Sequence, residues 1–168
     1  MFDVDQFRDV IVEPTLRRMA DWGYIGADNP AAVNLLVGTA YHESKGGTYL
    51  KQVNGPAMGI YQIEAPTHED VWKNYISHSS RQAHVNEMLP FNAQPDTRTW
   101  LGNPEWHRQL IVNLEYATVI ARLLYYRHNF DWCDPDDIEG LGQIWKEFYN
   151  TILGAGTIEK FVNDYPNA

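Results

Sequence analysis

Between residues 110 and 126, every side chain except Asn113, Glu115, Thr118 and Arg122 is apolar or aromatic. A helix of that composition is apolar on nearly all sides, so other elements have to surround it. Four polar or charged interruptions are too many for a bilayer core, so membrane insertion is not expected. The run therefore dictates an outline: a long central helix, about residues 105–128, begun by Asn103 and Pro104 and wrapped by shorter helices. With 168 residues the chain is long enough to do this as one domain over 1–168, burying roughly 70% of its unfolded surface.

The wrapping helices are legible from their spacing. Phe7, Val10, Ile11, Leu16, Met19 and Trp22 recur at helical intervals over 4–22, with Pro14 expected to kink or split the segment. Asn29 and Pro30 start a second helix, about 30–43, with Val33, Leu36, Val37 and Ala40 on one stripe. A third is predicted over 68 to about 76, begun at Thr67 by a capping-box pattern. A short one is expected near 80–89. Another runs from Asp134-Pro135 to Phe148, and a short one starts at Thr157 and ends before Pro166. Residues 77–104 otherwise read as loop, with a cleft wall and a plain surface loop both open. Gly154 and Gly156 are expected to break the chain.

Residues 41–64 depart from this helical pattern. Glu43 follows Leu36 and Ala40 on the buried stripe, at the C-terminal end of its helix. Burial disfavours the carboxylate, and the negative helix terminus disfavours it further, so its pKa should rise toward that of a general acid. The plainer reading is a helix-ending glutamate that reaches solvent. Gly46 and Gly47 end the helix. Residues 48–53, a turn at Asn54-Gly55-Pro56, and residues 59–63 then read as a β-hairpin, with Gln62 and Glu64 on one face. The expected fold class is thus mostly α, of an α+β kind: a helical bundle around a long central helix, with a small hairpin lining a cleft.

Composition removes several classes of function. A net charge of −9 lacks the basic footprint of a nucleic-acid binder. Cys133 alone cannot form an internal disulfide, and Trp132-Cys133-Asp134-Pro135 is no distinctive nucleophile context. No metal-binding histidine spacing occurs, and His107 and His128 read as structural, so neither a metal nor another cofactor is expected. No Gly-x-Ser-x-Gly elbow is present, which weighs against an amidase or peptidase. The N-terminal stretch lacks the features of a signal peptide, so the chain is expected to be made in a cytoplasm and to need release if it acts outside. Aromatic residues make up 13% of the chain, mostly for the core, with some available to a sugar cleft.

Three segments in order carry a resemblance. Glu43-Ser44 followed by Gly59-Ile60-Tyr61-Gln62 resembles the soluble lytic transglycosylase and goose-type lysozyme group of the lysozyme-like superfamily. The helix from Asn113, and Phe148-Tyr149-Asn150 with the glycines after it, are similar to later segments of that group. The pattern Gly-Pro-Ala-x-Gly-x-x-Gln-x-Glu also resembles phage-encoded wall-degrading enzymes. Tyr61 and Phe148 depart from the residues usual there. The resemblance covers about residues 30–157. It implies cleavage of peptidoglycan glycan strands at the β-1,4 bond between N-acetylmuramic acid and N-acetylglucosamine. It implies Glu43 as the catalytic acid, Gln62 and Tyr149 as residues that bind sugar or orient Glu43, Ser44 as a substrate-site residue that supports the loop or the acetamido group, Tyr61 and Asn150 as substrate-binding residues, and Glu64 as a possible second acid. It further implies a monomer acting either in phage lysis after holin-type release or as a virion component. A catalytically inactive glycan-binding or virion structural module is the alternative. The acidic net charge supplies no steering toward an anionic wall polymer.

Overall fold

A computed structural model describes residues 1–96, 103–150 and 156–166. The protein is mostly helical. Helices α1 (Val4–Phe7) and α2 (Glu13–Asp21) flank a π turn at Arg8–Val12; then come α3 (Pro30–Ser44), α4 (Ala65–Asn74), α5 (Gln82–Glu87), α6 (Pro104–Val112), α7 (Leu114–Tyr126), α8 (Ile138–Phe148) and α9 (Ile158–Asp164). The expected loop over 97–102 and the break at Gly154 lie outside the described residues. Among the described residues no helix is long and apolar enough to cross a membrane.

Pro14 neither splits nor stops the first segment. A proline ring clashes with the turn before it, and here that turn widens: the Glu13 amide bonds back to Arg8 O, five residues away. Helix α3 starts as the sequence predicts, with the Asn29 side chain accepting from the Ala31 amide at 2.8 Å. It is buried on nearly every side rather than along one stripe, because α7, α8 and α9 all pack on it. Gly38 makes room for this, since a Cβ there would lie 2.7 Å from Phe161.

The long central helix is two helices. Asn113 ends α6 and caps α7, its side chain accepting from the Tyr116 amide at 3.0 Å. Its amide nitrogen donates to Met88 O at 3.1 Å. The other polar interruptions of the apolar run also have partners. Glu115 pairs with Arg18 at 2.7 Å. Thr118 donates to Leu114 O and therefore accepts from the Tyr61 hydroxyl. Buried Arg122 donates to Ala27 O and Gly26 O and lies against the Tyr126 and Trp132 rings. Around α7 pack α2, α3, α4 and α6.

A buried polar chain ties α4 to α6 and α7. The Tyr116 hydroxyl accepts from Trp72 and Trp106. Its own proton must then go to His68 Nε2, 2.6 Å away. Neutral His68 donates through Nδ1 to His107 Nδ1, and His107 Nε2 donates to Glu69. Burial holds both imidazoles neutral by lowering their pKa values.

The hairpin expected over residues 48–63 is corrected to a folded loop: among the described residues it forms no strand. Antiparallel contacts are limited to isolated bridges, Lys51 with Met58 and Met58 with Ile63. Asn54, Gly59 and Gln62 have φ values of 60°, 74° and 47°, and each left-handed residue ends the pairing before a ladder can grow. Gly59 also sits where a Cβ would meet Leu110 O at 1.9 Å, which pins the loop to the end of α6.

Candidate active site

The carboxyl of Glu43 lies one residue before the end of α3. Ser44 closes the helix by donating from Oγ to Ala40 O and accepting from the Gly47 amide. Lys45 then takes a left-handed conformation, with φ 51°, and turns the chain into the loop. The loop, the start of α4 and the ends of α7 and α8 enclose an open cavity of about 680 Å³. Glu43, Gln62, Glu64, Tyr149 and Asn150 all line it.

Glu43 is half-buried. Desolvation raises its pKa from 4.5 to about 7, against the opposing pull of a hydrogen bond from Trp145 and the charge of Lys160. The Trp145 indole N–H donates to Glu43 Oε1 at 3.0 Å. A carboxyl in this state is populated in both protonation forms near neutral pH, which suits proton transfer in either direction.

The other expected residues separate into two groups. Gln62 is held by its own amide, which donates to Gly59 O at 2.7 Å and Tyr49 O at 3.2 Å. Tyr149 ends α8, stacks on Tyr125 with ring centroids 5.3 Å apart, and donates to Tyr61 O at 2.7 Å. Asn150 donates to Gly156 O. Glu64 is exposed at the start of α4. Ser44 and Tyr61 are buried and do not line the cavity, so Ser44 takes the loop-supporting role of its two expected ones and the Tyr61 side chain is not placed to bind substrate. The Ser44 hydroxyl is spent on backbone groups, and the Tyr61 ring packs in the core with its hydroxyl on Thr118. Tyr61 reaches the site only through its carbonyl, which holds Tyr149.

Sequence reasoning missed three participants. Trp145 reads from the sequence only as a core residue, although it precedes Tyr149 by one helical turn and shares its face. Asp70 and Arg127 form an ion pair at 2.5 Å on the cavity wall, with Asn74 donating to the same carboxylate. The Arg127 hydrogen bond, then that of Asn74, holds Asp70 below the usual carboxylate range. Nothing in the spacing of these residues marks them as neighbours. Among the described residues, no group of three or more His, Cys, Asp or Glu side chains is arranged to hold a metal ion. In comparisons with known proteins, the chain matches no family model, no curated protein and no solved structure.

Proposed function

We propose that this protein cleaves peptidoglycan glycan strands at the β-1,4 bond between N-acetylmuramic acid and N-acetylglucosamine, with Glu43 as general acid. The observation that carries the reading is a half-buried carboxyl raised to about 7 on an open cavity of about 680 Å³. The resemblance of Glu43-Ser44, Gly59-Ile60-Tyr61-Gln62 and Tyr149-Asn150 to the lytic transglycosylase and goose-type lysozyme group supports the choice of substrate. Glu43 protonates the leaving glycosidic oxygen while positive charge develops on the sugar ring. The attacking group then loses its proton, to the conjugate base of Glu43 where it is the substrate's C6 hydroxyl and to a second carboxylate where it is water.

That group is either water or the substrate's own C6 hydroxyl. Glu64 is the better candidate for a base that activates water, because it is exposed on the same cavity. Asp70 also lines the cavity, but Arg127 and Asn74 occupy its oxygens and reduce its basicity. The setting we propose is phage lysis or entry, with release through a holin or carriage in the virion.

Mass spectrometry of digested peptidoglycan tests the proposal, with wild type beside Glu43→Gln. Wild type should release muropeptides, and the variant should lose about 100-fold or more. Activity should fall as pH rises through about 7, because the acid form of Glu43 is the one that donates. Products ending in 1,6-anhydromuramic acid indicate attack by the C6 hydroxyl; reducing ends indicate water. Binding of glycan without any product would instead support an inactive binding module.

A further inference from the structure

We propose that Trp145 is a positioning residue: its indole N–H, held on Oε1 of Glu43, assigns the transferable proton to Oε2. This rests on the reading of Glu43 as the acid. An indole N–H donates and cannot accept. The carbonyl oxygen of a protonated carboxyl is a better acceptor than its hydroxyl oxygen. A fixed donor 3.0 Å from Oε1 therefore makes Oε1 the carbonyl-like atom and leaves the O–H on the other oxygen. After the proton leaves, the same contact becomes charge-assisted and stabilises the carboxylate. One donor thus orients the acid and stabilises its conjugate base.

The donor cannot swing away. Trp145 is 1% exposed. It stacks on Phe161 of α9, with centroids 5.4 Å apart and planes at 26°, and meets the edge of His42 at 4.3 Å. On its far side a Cβ on Gly156 would come within 2.4 Å of the indole. The other groups that act electrostatically with Glu43 do not replace it. The Tyr149 hydroxyl proton is spent on Tyr61 O. The Tyr125 hydroxyl shares a hydrogen bond with Thr39, whose own proton goes to Leu35 O, so Tyr125 donates there. Lys160, on α9, contributes charge and no hydrogen bond. Among the described residues Trp145 is the donor to Glu43.

The test follows the Trp145 indole resonance and the Glu43 carboxyl carbon by NMR from pH 4 to 9, in the intact protein without substrate. The two should titrate with one midpoint near 7, and the indole movement should vanish in Glu43→Gln. In Trp145→Phe the Glu43 midpoint should rise, and the alkaline limb of glycan cleavage should rise with it. In that variant kcat should fall about tenfold or more with KM nearly unchanged. An indole that ignores the Glu43 titration overturns the proposal, as does a midpoint unmoved in Trp145→Phe. The wild-type titration decides alone if that variant does not fold. Coupled titration in a protein that releases no muropeptides supports the Trp145 contact and overturns the glycosidase reading instead.

Discussion

Glu43 destabilises the fold that it serves. Its folded pKa of about 7 lies above the ordinary carboxyl value of 4.5. The unfolded chain therefore gives up this proton more readily, and ionised Glu43 opposes folding. The penalty is absent below about pH 4.5, grows as pH rises, and is complete above about 7. Its full size is about 3 kcal/mol. Glu43→Gln should consequently be more stable than wild type at pH 8 and nearly equal to it at pH 4, as urea unfolding at the two pH values would show. An equal difference at both would refute the raised pKa. The sequence disclosed the direction of the Glu43 shift, because burial follows from its place on the apolar stripe of one helix. It hid Trp145, which stands 102 residues away, and it did not disclose the burial of Ser44 and Tyr61, because a polar side chain next to a loop gives no sign of being buried.

The loop from the end of α3 to the start of α4 depends on one close approach. Gly59 combines a φ of 74° with backbone contact to Leu110, whereas Gly26 has a φ of 69° and nothing within 4 Å of a Cβ. Gly26→Ala should cost about 1 kcal/mol, the conformational penalty alone. Gly59→Ala carries that penalty and must also push the loop off α6, so it should cost several kcal/mol and displace Gln62 from the cavity. Thermal melts of the two variants measure the difference, and equal losses would remove the role given to the close approach. Helix starts were readable at Asn29 and Asn103, where a capping side chain precedes a proline, but not at Asp134-Pro135 or Thr67: α8 begins at Ile138 with Asp137 as its cap, and α4 begins at Ala65. The division between α6 and α7 was not, because Asn113 interrupts an unbroken apolar pattern by capping. Alternation over residues 48–63 suggested strands, but left-handed residues at Asn54 and Gln62 are not visible in polarity.

At the scale of the whole molecule, two buried helices, α3 and α7, carry much of the core, and α2, α4, α6, α8 and α9 each pack on one or the other. The buried apolar residues form one cluster that runs from Phe7 to Phe161. The acid comes from α3, the loop carrying Gln62 leans on α6, and Tyr149 and Trp145 come from α8, itself braced by α9. Distant closures of this kind form late, since the entropy of ordering the intervening chain comes before the contact that rewards it. A refolding chain should therefore regain its helices first, before burial raises the pKa of Glu43. Stopped-flow refolding should show far-ultraviolet dichroism recovering ahead of the proposed glycan cleavage, which should follow the slowest phase. Simultaneous recovery would mean that the two halves of the site meet in the first collapse. On the proposed function, competence would then be a late event in the life of each molecule, and a partly folded chain would carry a harmless glutamate.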